Sequence, residues 1–341
     1  MARYVSALER EMVARSGEAC HASIETLYLG GGTPSQLPLD LLYRVFCMVG
    51  QHFNLSKNAE VTIEANPDDV TQAWLDGIRQ TPVNRISMGV QTFDDDLLDF
   101  LHRRHNGTQA CQAISACLEY GYTNISIDLI YGLPGQTMAL WMRDLDMALS
   151  QPITHLSAYA LSYETGTRLA RMLELGQVAE ADEELSLRMY LALLNRTRQS
   201  GLEHYEISNF CRPGFHSRHN SNYWQRIPYY GFGPGAHSYD GCRTRRWNTC
   251  DLEAYVSTEG DVPHSGEVLS DMELYDESVM TGLRTRKGLD LHKMSPEDAQ
   301  YCVGQAEPHL KSGRLILEDG KLRLTERGIF VSNGIISDLM R

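Results

Sequence analysis

The sequence predicts an α/β fold in which parallel strands alternate with helices, joined to a smaller α+β region near the C-terminal end. Two observations support this fold class. Short apolar runs of strand length alternate with longer segments whose apolar residues recur at helical spacing, an order typical of βαβ units. In addition, the polar residues Glu64, Gln91 and Asp128 stand at the ends of three of these apolar runs. The carboxyl ends of the strands form the ligand-binding mouth of a β/α barrel, so these residues are candidate binding groups.

The elements follow one another in a regular order. The chain opens with a helix whose apolar stripe includes Val5, Leu8 and Met12. Strands are predicted at 26–29, 61–64, 85–91, 125–129 and 155–161, and helices at 39–52, 69–79, 94–102, 108–119, 137–149 and 181–199. No strand precedes the opening helix, and a parallel barrel without its first strand leaves neighbouring strands with unpaired edges. We therefore expect a barrel whose first strand is missing from this chain.

The pattern changes after residue 200. Residues 203–262 are rich in Gly, Tyr, Asn and His and show little helical or strand periodicity. Beyond them, helices are predicted near 271–283 and 296–312, followed by a hairpin over 315–324 and a final helix from about 325. Helices followed by a hairpin are typical of a winged-helix module. We predict three domains, with bounds at 1–202, 203–265 and 266–341.

Composition narrows the class of protein. Of the 341 residues, 42% are hydrophobic and 22% charged, which is a globular balance. The 31 Lys and Arg against 44 Asp and Glu give a net charge of −13. That balance disfavours a nucleic-acid-binding protein, because phosphate backbones are bound by cationic surfaces. No apolar run is long enough to predict a membrane-spanning helix, and the charged N-terminal segment does not resemble an export signal. We expect a cytoplasmic protein with mostly reduced cysteines.

Glycine and aspartate runs are candidate binding segments. Residues 30–35 directly follow the first predicted strand, and their three glycines would allow close approach of the backbone to a ligand or form only a tight turn. The segment is not a P-loop, because no Gly-Lys-Ser/Thr sequence follows. A second glycine run, residues 231–237, contains a proline and is a poor nucleotide-binding candidate. The acidic run 94–96 at a helix start is typical of helix capping rather than of metal binding.

A histidine lies among aromatic residues in the segment 203–262. His219 is followed by Tyr223 and Trp224, and a histidine in such surroundings can bind heme iron between flat aromatic faces. A single histidine is also often structural. Three arginines could bind propionates through forked hydrogen bonds, or could form an ordinary exposed cluster: Arg243, Arg245 and Arg246.

Longer motifs resemble a known family. In chain order they are LYLGGGTPS, TIEANPDD, RISMGVQTFDDDLLDFLHRRH, ISIDLIYGLPGQT, HLSAYALSYETGT, YEISNF, HNSNYW and GFGPGAHSY. Together they resemble, over nearly the whole chain, the radical-SAM proteins related to oxygen-independent coproporphyrinogen III oxidase. The HNxxYW motif is similar to the signature of the heme chaperone (HemW) branch. The resemblance implies a partial (β/α)6 barrel that binds S-adenosylmethionine at its mouth.

The resemblance also implies roles for individual residues. Residues at the methionine end of S-adenosylmethionine would be Gly31, Gly32 and Thr33. The amino, carboxylate or ribose groups of S-adenosylmethionine would form hydrogen bonds with Glu64, Gln91, Arg103 and Asp128. Ala160 would pack near the adenine. His219 would be the first candidate ligand of heme iron, with support from Asn220, Tyr223 and Trp224, and His216 or His237 would be next.

One part of the family pattern is missing from this sequence. The family carries CxxxCxxC after its first strand, and those thiolates hold a [4Fe–4S] cluster. The eight cysteines here have no such spacing, since they stand at 20, 47, 111, 117, 211, 242, 250 and 302. We expect either that a few dozen residues of the natural protein precede this chain, or that a short form binds heme without radical chemistry.

Three functions are consistent with the resemblance. The first is a heme chaperone that binds heme and hands it to respiratory hemoproteins, regulated by a cluster and S-adenosylmethionine. The second is an oxidoreductase that decarboxylates coproporphyrinogen III, and the third is a cluster-free heme-binding form. The HNxxYW motif favours the first and the missing cysteines favour the third, so whether the protein is an enzyme is left open here. The implied partners are heme-accepting hemoproteins, with peripheral contact to membrane-bound recipients, no nucleic acid, and a homodimer as one candidate assembly.

Overall fold

The computed structural model describes residues 1–19 and 22–341, so Cys20 lies outside the described residues. The chain divides into two compact units. The composite unit consists of residues 1–27, 37–60 and 217–341, and the barrel unit of residues 28–36 and 61–216. The predicted domain bounds at 1–202, 203–265 and 266–341 stay a prediction. Within the described residues, no helix is long and apolar enough to cross a membrane.

Except at the C-terminal end, the predicted helices lie close to their predicted positions, and three short helices at 168–174, 218–224 and 252–257 were not predicted. In chain order they are α1 (Ala2–Arg15), α2 (Leu39–His52), α3 (Gln72–Ile78), α4 (Asp95–Phe100), α5 (Gly107–Glu119), α6 (Met138–Ser150), α7 (Arg168–Glu174), α8 (Glu183–Gln199), α9 (Arg218–Trp224), α10 (Leu252–Ser257), α11 (Asp271–Leu283), α12 (Pro296–Lys311), α13 (Glu326–Ile329) and α14 (Ser332–Leu339). The prediction of one final helix is wrong, because the backbone at Val331 (φ −104°, ψ 22°) leaves the helical conformation between α13 and α14.

Side-chain caps fix where several helices begin. The Asp94 side chain accepts a hydrogen bond from the Leu97 N–H at the start of α4, which confirms that the acidic run 94–96 caps a helix. Asn106 and Gln109 form a reciprocal capping box at the start of α5. These local bonds satisfy backbone donors that a helix leaves unpaired in its first turn.

Seven strands form the large sheet, in the order β1-β2-β3-β4-β5-β7-β6. They are β1 (Ser23–Leu29), β2 (Asn54–Ala65), β3 (Arg85–Gln91), β4 (Ile125–Tyr131), β5 (His155–Ala160), β6 (Glu203–Glu206) and β7 (Asn209–Cys211). Strands β2 to β5 pair in parallel, whereas β7 pairs antiparallel with both β5 and β6. The α/β fold class and the five predicted strands are confirmed. The short strands β6 and β7 were not predicted.

Alternation along the strands separates an apolar face from a polar one. On β3 and β4 the buried apolar side chains are Ile86, Met88, Val90, Ile125, Ile127 and Leu129. The residues between them include Arg85, Ser87, Ser126 and Asp128. Successive side chains of a strand point to opposite faces, so these polar groups share one face of the sheet. The sheet therefore presents hydrogen-bonding groups on the face opposite its apolar packing.

The composite unit contains two smaller antiparallel sheets. One consists of β8 (His237–Tyr239), β9 (Thr244–Asn248) and β10 (His264–Val268), and the other of β11 (Leu289–Asp290), β12 (Leu315–Glu318) and β13 (Lys321–Leu324). The predicted hairpin is confirmed as β12 and β13, whereas the short strands β8 to β11 were not predicted. Residues of α11, α12, α14 and this sheet form one apolar core: Tyr275, Val279, Leu283, Cys302, Ala306, Leu315, Leu322, Ile335 and Leu339. The C-terminal α+β module of helices and a hairpin is thereby confirmed.

A buried carboxylate joins distant segments of the composite unit. Glu11 of α1 is 1% exposed and forms an ion pair with Arg15, at 2.8 Å. It also accepts hydrogen bonds from the Gly233 N–H (2.9 Å), the Asn248 side-chain amide (2.7 Å) and the Tyr255 hydroxyl (2.7 Å). The glycine run 231–237 is thus held from its backbone by α1, which gives this motif a structural role.

Candidate functional site

The glycine-rich loop after β1 is held by one carboxylate. The Tyr28 hydroxyl donates to Glu64 Oε1 (2.7 Å), and the Gly31 N–H donates to Glu64 Oε2 (3.2 Å). Gly31 has a φ of +82°, and a Cβ on Gly30 would lie 2.8 Å from Glu64 Oε1. Both positions therefore need glycine. The loop is a tight turn shaped by Glu64, in which Gly32 is exposed and Thr33 is partly buried.

The phenol of Tyr28 is a fixed donor to this carboxylate. Burial, and after it the negative charge of Glu64, raises the pKa of Tyr28 above its ordinary value. The hydroxyl therefore keeps its proton across the physiological range. Because Tyr28 occupies Oε1 and Gly31 occupies Oε2, the remaining lone pairs of Glu64 are the acceptors that a ligand would meet here.

Gln91 and Arg103 meet beside Gly89. Gln91 ends β3 with a φ of +70°, a backbone conformation that non-glycine residues seldom adopt. Arg103 donates to Asn66 Oδ1 (2.6 Å) and to the Gly89 carbonyl (2.8 Å). A Cβ on Gly89 would lie 2.8 Å from Gln91 Nε2 and 3.3 Å from Arg103 Nη2. Glycine at position 89 therefore leaves room for an amide and a guanidinium at the end of β3.

Asp128 is a partly buried carboxyl in the middle of β4. Burial raises its pKa to about 6, while a hydrogen bond from Ser157 and the positive charge of Arg85 act in the opposite direction. The strand register places Asp128 opposite Ser157 of β5. Asp128 was predicted at a strand end and instead lies three residues before the end of β4. It belongs to the same unit and the same polar face as the groups described above.

A cavity of about 160 Å³ opens beyond the ends of β4 and β5. Its lining residues are Tyr131, Gly132, Ala160, Leu161, Ser162, Tyr163, Glu180, Ala181 and Ser186. Ala160, the residue predicted to pack near an adenine, ends β5 and is part of this lining. The Tyr163 hydroxyl is buried and has no hydrogen-bond partner among residues 1–19 and 22–341. An unsatisfied donor beside a cavity is suited to a polar ligand group.

His219 stands in the first turn of the short helix α9, and three side-chain oxygens cap that turn. Ser217 Oγ accepts from the Asn220 N–H at 3.2 Å. The buried carboxylate of Glu60, from β2, accepts from the Arg218 N–H at 3.1 Å through one oxygen and from the His219 N–H at 3.0 Å through the other. These bonds fix the backbone at His219, so the direction in which its ring leaves the helix is well defined.

The imidazole of His219 lies between two hydroxyl groups. Its Nδ1 is 3.0 Å from Thr26 Oγ1, on β1, and its Nε2 is 3.0 Å from the Tyr223 hydroxyl. The Tyr223 ring is 41% exposed and lies edge-on to both His219 and Tyr229. Trp224 Nε1 is buried and lacks a hydrogen-bond partner within the part of the chain that the structure describes. The motif thus gathers a histidine, two hydroxyls and exposed aromatic surface.

The alternative histidines have other neighbours. His237 of β8 stacks on Trp247, with ring centroids 5.7 Å apart. His216 of the barrel unit lies 3.6 Å from a carboxylate oxygen of Glu203. The arginine cluster is already paired: Arg243 with Asp271, Arg245 with Glu267 and Glu277, and Arg246 with Asp261 and Glu18. These pairs favour the interpretation of an ordinary charged surface over that of a propionate site.

Two kinds of sequence similarity agree on the family. Residues 2–148 match the radical SAM superfamily, and residues 269–331 match the HemN C-terminal domain. The heme chaperone HemW of Mycobacterium tuberculosis is 34% identical over 341 residues, which cover 99% of this chain and 86% of that protein. The chain belongs to the HemW family. The heme chaperone HemW of Bacillus subtilis is 32% identical over 97% of this chain and 87% of its own length.

A solved structure supports the fold. Coproporphyrinogen III oxidase (HemN) from Escherichia coli, a radical SAM enzyme, superposes with a TM-score of 0.83 over 99% of this chain and 83% of that chain, at 21% identity. At this level of identity the likeness is one of fold. It confirms the partial barrel, in which a curled half-barrel sheet is followed by a C-terminal domain.

The cysteines do not assemble a cluster site in this structure. Seven cysteines are described and all are free: Cys47, Cys111, Cys117, Cys211, Cys242, Cys250 and Cys302. Over residues 1–19 and 22–341, no group of three or more His, Cys, Asp or Glu side chains is placed to hold a metal ion. A [4Fe–4S] cluster is held by thiolates at fixed geometry. The described residues therefore do not fit that group.

The structure adds residues that the sequence did not single out. In the barrel unit these are Tyr28, Asn66, Gly89 and Tyr163, and in the composite unit Thr26 and Glu60. Glu60 carried little signal, because β2 also contains polar residues such as Lys57 and Asn58, so one more carboxylate does not stand out. Thr26 carried none, because it lies 193 residues from His219 and a threonine suits any strand.

Proposed function

We propose that this protein is a heme chaperone that binds heme through His219 and delivers it to hemoproteins of the respiratory chain. The observation that carries the proposal is the geometry of α9. Its backbone is fixed by Glu60 and Ser217, and the ring of His219 is partly exposed beside an exposed tyrosine. A neutral imidazole nitrogen is the commonest protein ligand of heme iron.

The surface beside His219 suits a flat apolar ligand. The Tyr223 ring is 41% exposed and Ile227 is 42% exposed, in the same segment of the chain. A macrocycle bound through His219 would cover apolar surface of this kind, and that burial would add to the iron–nitrogen bond.

The barrel unit is proposed to bind S-adenosylmethionine. When bound, this compound supplies a sulfonium cation together with an amino-acid zwitterion and a ribose diol. Glu64 and Asp128 would accept hydrogen bonds from its amino or ribose groups, and Gln91 and Arg103 would donate to its carboxylate. Gly31, Gly32 and Thr33 would contact its methionine end. Ala160 and the unpaired hydroxyl of Tyr163 would receive the adenine in the cavity beyond β5.

The proposal is tested by heme titration of three proteins: the unsubstituted chain, His219→Ala and His237→Ala. His237→Ala is the matched control, because that histidine stacks on Trp247 in the same unit. We expect His219→Ala to lower heme affinity at least tenfold and to shift the Soret band, whereas His237→Ala should leave both unchanged. An unaltered spectrum and affinity for His219→Ala would place the iron ligand elsewhere.

Delivery needs a second experiment. The heme-loaded protein is mixed with a heme-depleted respiratory cytochrome, and transfer is followed by the absorbance of the recipient. Free heme at the same concentration and apomyoglobin as a non-respiratory acceptor are the controls. Faster transfer to the cytochrome from the loaded protein than from free heme is expected. Equal rates to both acceptors would refute a role in delivery.

A further inference from the structure

Two hydroxyl groups occupy the two ring nitrogens of His219, and they differ in chemistry. Thr26 lies on β1 and Tyr223 on α9, four residues after the histidine, so one is anchored in the sheet and the other shares the helix. The distances are equal, 3.0 Å to Nδ1 and 3.0 Å to Nε2. A neutral imidazole carries one N–H and one bare nitrogen, so one hydroxyl must accept and the other must donate.

We propose that Thr26 fixes the tautomer of His219 by accepting its Nδ1–H, and that the Tyr223 hydroxyl caps the bare Nε2 until heme iron displaces it. This inference deepens the proposed function and rests on it. Thr26 is then a positioning residue, and Tyr223 is a competitor for the atom that binds iron. Thr26 acts on Nδ1 of the ring and Tyr223 on Nε2. Neither residue binds the metal itself.

The assignment of donor and acceptor follows from acidity. A phenol is a stronger hydrogen-bond donor than an aliphatic alcohol, so Tyr223 is the better partner for a bare nitrogen and Thr26 for an N–H. An N–H held by a fixed oxygen on the far side of the ring also orients a metal-binding histidine and raises its basicity.

The exchange of the Tyr223 hydroxyl for heme iron at Nε2 needs no other reactant. The hydrogen bond from the Tyr223 hydroxyl to Nε2 breaks, and the lone pair of Nε2 forms the bond to iron. The phenol proton stays on its oxygen, which turns to water. No proton or electron leaves the protein. The reverse exchange returns Tyr223 to Nε2 as heme departs, so the same contact that opposes binding favours release.

The backbone of this segment holds still while the exchange occurs. Glu60 binds the N–H groups of Arg218 and His219, and Ser217 binds that of Asn220. The Tyr223 side chain projects one turn further along α9 and is 41% exposed. A rotation of this side chain breaks its hydrogen bond to Nε2, and surface side chains change rotamer rapidly.

The first test is heme affinity in two single variants. Tyr223→Phe keeps the ring and removes the hydroxyl, so the affinity should rise about threefold to tenfold, the range of one net hydrogen bond, with the Soret band unchanged. Thr26→Val keeps the shape and removes the acceptor, so the affinity should fall by a similar factor, and Thr26→Ser should restore it. Unchanged or weaker heme binding by Tyr223→Phe would overturn the competitor role.

The second test observes the tautomer directly in the heme-free protein. Long-range 15N–1H correlation of labelled histidine should show the Nδ1–H form for His219 in the unsubstituted chain and a mixture in Thr26→Val. An Nε2–H form in the unsubstituted chain would overturn the inference. These tests can fail independently of the test of the proposed function. If His219→Ala leaves heme binding intact, the proposed function is wrong. If only the Tyr223→Phe and tautomer results fail, His219 stays the ligand.

Discussion

The buried carboxylate of Glu60 gives a prediction whose size can be worked from the structure. Each of its oxygens accepts one backbone N–H of α9, at 3.0 and 3.1 Å. In Glu60→Gln one of these acceptors becomes an NH2 group that faces an N–H. One buried donor is then unsatisfied, which costs about 1–3 kcal/mol. The free energy of local opening of α9 should fall by that amount, so its amides should exchange about 5- to 150-fold faster.

The assay is hydrogen exchange measured by mass spectrometry on a peptide covering residues 217–224. A peptide from α12 reports whether the rest of the composite unit is unaffected. Glu25→Gln is the matched control, because Glu25 also meets residue 218, through an exposed ion pair of 2.7 Å with the Arg218 side chain. Exposed pairs contribute roughly 0–1 kcal/mol, so this variant should change exchange little. Equal exchange of the peptide 217–224 in Glu60→Gln and the unsubstituted protein would refute the argument.

Two further predictions concern the barrel unit. Gly89→Ala places a Cβ 2.8 Å from Gln91 Nε2, so it should weaken S-adenosylmethionine binding about tenfold, as measured by calorimetry. The control Gly50→Ala, whose Cβ meets nothing within 4 Å, should leave the affinity unchanged. Equal affinities of Gly89→Ala and the unsubstituted protein would show that the Gln91 amide is not a ligand. Asp128 has a pKa of about 6 in the fold against 3.8 in an unfolded chain, so its stabilising contribution is present below about pH 4 and lost as the pH rises through 6. Asp128→Asn should therefore stabilise the protein by about 1–2 kcal/mol at pH 7, after allowance for partial exposure, and by little at pH 4. Thermal unfolding at both pH values checks this, with the exposed Asp96→Asn as control, and a gain that is the same at both pH values would contradict it.

The parallel strands could be predicted from the sequence because each is a short segment of strand length, rich in apolar residues, that lies between segments of helical periodicity. Strands β6 and β7 could not, since three or four residues do not establish a period. The structure places Arg103 close to Gln91, and strand periodicity correctly predicted that Gln91 ends a strand. Periodicity could not indicate Gly89 or Asn66, whose importance depends on how closely those two side chains approach.

The histidine site shows where sequence reasoning stops. The motif around His219 pointed to the residue and to its aromatic neighbours. The groups that hold its ring and backbone, Thr26 and Glu60, come from strands more than 150 residues earlier in the chain. No local pattern connects such positions, because the contact exists only once the strands and α9 are folded together. The positioning of the histidine is therefore a property of tertiary structure.

The discontinuous composite unit has a consequence for synthesis on the ribosome. Its segments 1–27 and 37–60 emerge early, yet Glu11 of α1 also binds Gly233, Asn248 and Tyr255, which are synthesised much later. Until those residues leave the exit tunnel, Glu11 has only Arg15 of the same helix as a partner, and the apolar side chains of α1 are not yet covered by the rest of the unit. The barrel unit, most of which is the continuous stretch 61–216, can condense in the meantime. Translation order thus favours a cotranslational intermediate in which α9, the helix that carries His219, folds last. A molecular chaperone that captured this intermediate would bind the apolar face of α1, which is buried only in the complete fold.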